Sequence, residues 1–229
     1  MIQLLVFAAV LLSPPVALAQ EALSPPLPQI ASESTATPEQ ISAATARANR
    51  LIDAANAQGI FVNKTDSGIA QVEHVASGMR CLLDENPANR LHIFPSTGAD
   101  MTRGDDVSCV IRDDATDTDI TIYATRYPGG MSTEGIMAGA VSGIRQRWPD
   151  AIAYEGELTT ATLEGHAAPA VAAFQIQFEG KQMLTLALGV QEGDWSFKVR
   201  ITGPFEEAMG VSLYGAITMT YVQMNLKDD

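Results

Sequence analysis

The sequence predicts an α+β fold, an antiparallel β-sheet made of a meander plus a hairpin and packed by two or three helices. Three patterns carry that expectation. Residues 174–202 alternate apolar and polar side chains in three runs separated by short Gly turns. Residues 107–125 hold two more alternating runs around an Asp-rich turn, and three other stretches repeat apolar residues at helical spacing. The composition agrees: of 229 residues, 46% are hydrophobic and 18% charged, and 14 Lys and Arg face 27 Asp and Glu, a net charge of −13. An acidic disordered chain needs lower hydrophobicity, and a nucleic-acid partner needs clustered cations, so neither class is expected.

Residues 1–19 are expected to be a signal peptide. They carry no charged side chain, hold an apolar run over 2–12, and end in Ala17-Leu18-Ala19, a small-residue pattern that signal peptidase accepts. No Lys or Arg precedes the run, which departs from the usual pattern and leaves a buried N-terminal element as the alternative. No Cys lies beside the cleavage site to take a lipid. Residues 20–37, with Pro25, Pro26 and Pro28 among Ser, Thr and Ala, read as a semi-rigid linker.

A helix is expected over 38–59. Thr37 can cap it, Pro38 suits its first position, and Gln40 completes a capping box. Ile41, Ala44, Ala48, Leu51, Ile52 and Ala55 form its apolar stripe, and Gly59 is the expected stop. The remainder, 60–229, reads as one α+β domain. Strands are expected over 69–74, 79–83 and 91–94, then a hairpin in which Val107, Cys109 and Ile111 face Ile120, Ile122 and Ala124 across the turn at 113–119. In the meander, Phe174, Ile176 and Phe178, then Leu184, Leu186, Leu188 and Val190, then Trp195, Phe197, Val199 and Ile201 give one buried face.

Ser132 or Thr133 can cap a helix running to about Trp148, with Met137, Ala140, Val141, Ile144 and Trp148 inward. A last helix begins at Pro204, with Glu206 and Glu207 in its first turn and Phe205, Met209, Leu213 and Ile217 as its packing stripe. The uncharged stretch 208–226 holds Ser, Thr, Tyr, Gln and Asn, so it reads as a buried helix of a soluble domain and no membrane span is expected once the signal is removed.

Cys81 and Cys109, the only cysteines, are expected to form one disulfide in an oxidising compartment. The loop of about 29 residues makes it worth about 3–4 kcal/mol in the chain-entropy picture. Asp113, Asp114, Asp117 and Asp119 are the candidate cation ligands, but the calcium-loop frame lacks its Gly and its closing Glu, so a solvated hairpin tip is expected. His74, His92 and His166 are isolated in sequence and are expected to be exposed or at the core edge. Ser142 lies between Gly139 and Gly143 in a run that only resembles a nucleophile elbow. No phosphate-binding loop or dinucleotide fingerprint is present. No catalytic residue, metal ligand or cofactor is therefore assigned. Asn63-Lys64-Thr65 matches a glycosylation sequon.

Gly135, Gly139 and Gly143 recur every four residues in a helix where each Gly costs about 0.8–1 kcal/mol against Ala. The row is expected to permit close packing on the sheet or to receive a partner's helix, and self-association through it is a further possibility.

The segment Gly193-Asp194-Trp195-Ser196-Phe197-Lys198-Val199-Arg200-Ile201-Thr202-Gly203-Pro204 resembles the final strand and helix entry of the PsbP-like fold, and the block 72–217 is similar in layout. Gly78-Met79-Arg80-Cys81 and Asp106-Val107-Ser108-Cys109 resemble uncharacterised exported bacterial proteins. The resemblance implies a binding or assembly role without catalysis. The expected function is thus an exported, non-enzymatic binding or adaptor protein, periplasmic or secreted, with a protein partner. The alternative is a hydrolase or a small-ligand or calcium-binding protein built on dispersed carboxylates. The expected surface is either the Gly135 helix face or a polar sheet face holding Gln175, Gln177, Lys198 and Arg200.

Overall fold

The computed structural model describes residues 36–96 and 100–226. The expected signal peptide and residues 20–35 of the expected linker lie outside the described residues. Thr37 opens helix α1, Pro38–Ala54, through the expected capping box: Gln40 N–H donates to Thr37 Oγ1 at 3.3 Å, and Thr37 N–H donates to Gln40 Oε1 at 2.7 Å. Ala44, Ala48 and Ile52 face inward. The helix stops before Gly59. Asn56 takes the left-handed conformation with φ 50°, its N–H bonds Asp53 O at 3.0 Å, and Ala57 N–H bonds Ile52 O at 2.9 Å. These two bonds close a Schellman cap, for which Asn serves when Gly is absent.

Strands β1, Phe61–Asn63, β2, Ala70–His74, and β3, Arg80–Leu83, form a small antiparallel sheet in that order. The larger sheet contains β4, Arg90–Ile93; β5, Asp106–Asp113; β6, Thr118–Arg126; β7, Ile152–Ala153; β8, Ala170–Phe178; β9, Lys181–Glu192; and β10, Trp195–Pro204. Its order is β4-β5-β6-β10-β9-β8-β7, with every neighbour antiparallel. The expected hairpin is β5–β6 and the expected meander is β8–β9–β10. The two are joined because β6 pairs with β10, from Trp195 opposite Arg126 to Thr202 opposite Asp119. Helix α2 is Thr133–Arg147, capped by Ser132. A 3₁₀ turn, Phe205–Glu207, leads into α3, Ala208–Met224.

One face of the large sheet meets α1, the small sheet and α3. There Cys109, Ile122, Leu186, Leu188, Phe197, Val199 and Ile201 join Ile52, Phe61, Met79, Val211 and Met219 in one core. The disulfide between Cys81 of β3 and Cys109 of β5 lies inside it, with both residues fully buried. Among the described residues the opposite face is covered by α2 over β8 and β9 only, where Met137, Ala140 and Ile144 pack on Phe174, Ile176, Met183 and Ala187.

Two expectations about packing are corrected. The meander does not have one buried face, because β9 is buried on both sides from Met183 to Val190. Helices flank it front and back, and the sequence concealed this by using Thr185, Ala187 and Gly189 beneath α2. A Cβ on Gly189 would come within 2.8 Å of Met137 Sδ and 3.1 Å of Ile136 Cγ2, so that glycine sets the helix-to-strand distance. The packing stripe of α3 is also reversed. Met209, Leu213 and Ile217 are 67%, 48% and 57% exposed, while Val211, Gly215, Met219 and Val222 face the sheet. At Gly215 a Cβ would meet Leu188, Ile201 and Leu186 at 3.0–3.2 Å, so close approach through small residues outweighs burial of the larger side chains. No helix among the described residues is long and apolar enough to cross a membrane.

Two stability measurements check this arrangement. In denaturant unfolding, Gly215→Leu should cost about 1–3 kcal/mol or more through overpacking. Ile217→Gln should stay within about 0.5 kcal/mol, and the reverse ranking would mean that α3 presents its other face. Replacing Cys81 and Cys109 together with Ala should cost about 3–4 kcal/mol, whereas a loss below about 1 kcal/mol would remove the bridge from the scaffold's main supports.

Candidate binding face

The half of the sheet that α2 leaves open belongs to β4, β5, β6 and β10. Their core-facing residues fix the alternation, so the intervening residues point outward. The registers align these into cross-strand rows. His92, Ser108, Tyr123 and Lys198 form one row, and Arg90, Val110, Thr121 and Arg200 form the next. Beside them, the end of α2 brings Arg147 and Trp148 against Phe178 of β8. All of these but Lys198, with Phe94, Asp119 and Thr202, enclose a trough of about 440 Å³.

Rings build both ends of the trough. Trp148 meets Phe178 edge to face at 6.4 Å, with the Arg147 guanidinium 4.7 Å from the Trp148 ring centre. At the other end Phe94 lies 4.3 Å from His92 and 6.2 Å from Tyr123 between ring centres. Lys198 places Nζ 4.5 Å over the Tyr123 ring. Burial, helped by the neighbouring Arg200 charge, pushes the Lys198 ammonium pKa down. Burial pushes the Asp106 carboxyl up, although its Oδ1 accepts a 2.9 Å bond from Thr125 Oγ1.

Asp106, outward on β5, attracts Lys198 across the same face, but none of the cations here is in a close ion pair among the described residues. Arg90, Arg147, Lys198 and Arg200 make no salt bridge among the described residues. Among the described residues Arg90 donates only to Ala88 O at 3.0 Å. Asp119 lines the trough, but it is held by Arg112 Nη1 at 3.3 Å. Arg112 also holds Asp114 at 3.0 Å and Asp117, and Lys181 Nζ holds the other Asp117 oxygen at 2.7 Å. Three of the four carboxylates that the hairpin tip offered to a cation are therefore engaged with side-chain cations, and the fourth, Asp113, accepts from Ala115 N–H at 2.9 Å. No group of three or more His, Cys, Asp or Glu side chains among the described residues is placed to hold a metal ion.

The other expected residues are dispersed. Gln175 pairs with Leu184, so Gln175 and Gln177 lie on the opposite face of the sheet from Lys198 and Arg200, and the expected polar face is corrected accordingly. Gly139 and Gly143 are exposed with open space around a would-be Cβ, so the Gly135 row does not serve packing on the sheet. The row continues at four-residue spacing to Arg147 at the trough. His74 is 1% exposed, within 2.8 Å of Ser77 Oγ and between the rings of Phe61 and Trp195, rather than at the core edge. His92 lies on the trough, and His166 Nδ1 stands 3.4 Å from Glu192 Oε1. Ser142 is exposed in mid-helix, and Asn63 Nδ2 donates to Thr45 O at 3.0 Å and Asn49 Oδ1 at 2.7 Å.

Sequence reasoning missed Arg90, Arg147, Thr121 and Tyr123 as members of one site. The alternation of β6 and β10 was readable, but their mutual pairing was not.

Neither a protein-family model nor a curated protein matches the chain. Among solved structures it is similar to LpqN of Mycobacterium tuberculosis, described as involved in cell envelope biogenesis, at 12% identity and a TM-score of 0.31, over 59% of this chain and 83% of that one. A likeness this slight sets neither the fold nor the function of this chain.

The hairpin tip has a definite pH signature. Hydrogen bonds from Lys181 and then Arg112 hold the Asp117 carboxyl below its usual 3.8. A depressed carboxyl pKa contributes stability that is complete above the unfolded value and is lost as pH falls through the folded one. Wild type should exceed Asp117→Asn in stability at neutral pH, with the gap closing in acid below about pH 4 and shrinking in high salt. A gap that survives full protonation would assign the effect to some other contact.

Proposed function

We propose that the chain is an exported, non-enzymatic binding or adaptor protein of the cell envelope or secreted space, and that its open sheet face receives a protein partner. The observation that carries this reading is the gathering of four cations, none of them in a salt bridge among the described residues, on one open face of a chain whose net charge is −13. Surplus acidic residues are available for pairing, and the neighbouring hairpin tip places three of them on Arg112. Cations left unpaired in such a chain favour an acidic surface arriving from outside.

Supporting considerations come from the sequence and the scaffold. A buried disulfide suits maturation in an oxidising compartment, as does the small-residue pattern that ends at Ala19. The PsbP-like resemblance of residues 193–204 fits an assembly role. The ridge of Gly135, Gly139 and Gly143 leads to Arg147 and offers a partner bare backbone next to the cations. The carboxylate-based alternative gains nothing, because the clustered carboxylates are engaged with Arg112 and Lys181.

The test is crosslinking capture in the native host with Arg147→Glu/Arg200→Glu beside Gln177→Glu on the opposite face. Recovery of a partner should fall about tenfold or more for the double charge reversal, on the scale of charged interface groups, and hold for Gln177→Glu. Equal recovery from both variants would remove the open face from the reading.

A further inference from the structure

The trough has the build of a small-molecule site within that face. Its volume of about 440 Å³ falls in the range of ligand pockets, and it combines ring walls with a few convergent polar groups. Arg200 is the central one. It is half-buried on the trough floor and makes no hydrogen bond or ion pair among the described residues. A guanidinium that has given up part of its hydration without gaining an acceptor is incomplete electrostatically, and an oxyanion can meet it with two parallel bonds. The Ser108 and Thr121 side-chain hydroxyls, which make no hydrogen bond among the described residues, face the same space.

We propose that the trough binds a small organic anion, with its carboxylate or phosphate group seated at Arg200 and Arg147 and a planar apolar body against Trp148 and Phe178. The proposal rests on the same face being a binding surface, but it does not require a protein partner. Size and charge select the ligand class. A long polyanion would meet the surplus negative charge of the whole chain, whereas one small anion feels chiefly the nearby cations. The edge-to-face pair of Trp148 and Phe178 beside Arg147 then favours a ring next to the charge over an inorganic ion alone. Lys198, whose charged form burial disfavours, gains from an anion on its side of the sheet as well.

The experiment is calorimetry on the purified, disulfide-intact protein with 1-naphthyl phosphate, 1-naphthoate, 1-naphthol and inorganic phosphate. At least one naphthyl anion should bind, about tenfold or more tightly than naphthol and than phosphate, and which anion binds better distinguishes the two head groups. Arg200→Gln should weaken that binding about tenfold or more, the scale of a lost charge-assisted bond, with Arg147→Gln as a second variant should the first fail to fold. Lys64→Gln, away from the trough, should leave it unchanged. Trp148→Phe should abolish the accompanying fluorescence change while Trp195→Phe keeps it. No binding of either naphthyl anion, equal binding of naphthol or of phosphate, or indifference to Arg200→Gln and Arg147→Gln would each overturn the proposal. Loss of the anion site with charge-dependent partner capture intact would leave the adaptor reading standing.

Discussion

The antiparallel ladder between β6 and β10 is the interaction on which both the core and the candidate site depend. It joins two hairpins far apart in the chain into one seven-stranded sheet. Its register puts Ile120 beside Ile201, Ile122 beside Val199 and Ala124 beside Phe197 on the core side. On the other side the same register puts Thr121 beside Arg200 and Tyr123 beside Lys198. A slip of one residue would drive two cations into the core and turn the aliphatic rows to water. Hydrophobic burial thus fixes the position of charges that it never contacts.

Covering the outer face is a matter of half measures. Helix α2 sits over β8 and β9 and ends near the middle of the sheet, so its last turn becomes a wall of the trough. The closeness of α2 comes from Gly189 in the strand rather than from the glycines of the helix. Charge is sorted along the uncovered half. At the hairpin end Arg112 gathers three aspartates, and farther along the face Arg90, Arg147, Lys198 and Arg200 make no salt bridge among the described residues. A chain with nearly twice as many acids as bases therefore still gathers four cations that no salt bridge engages among the described residues.

Much of the fold was legible because it rests on local chemistry. Thr37 and Gln40 specify the start of α1 through bonds they make with each other, and the alternation in 174–202 specifies three strands. What escaped reading was decided by tertiary contacts. Asn56 rather than Gly59 ends α1, because a left-handed residue is needed one position after the cap and Asn tolerates it. The larger apolar residues of α3 face outward, because Gly215 lets the helix settle against Leu186, Leu188 and Ile201. Of the site, Lys198 and Arg200 were visible as outward residues of their strand. Their company was not, since Arg90 and Arg147 arrive from other elements, and Gln175 and Gln177 follow a strand whose phase is set two neighbours away.

The margins of the large sheet carry a different implication. Its outermost strands are β4, with four residues, and β7, with two. Each offers only a short row of free peptide groups of its own, and β7 pairs with only Phe174 and Gln175 of β8, so the outer edge of β8 is where a strand from another molecule would have to add. The fold keeps its two longest strands, β9 and β10, in the interior of the ladder, away from the positions where fibrous growth would begin.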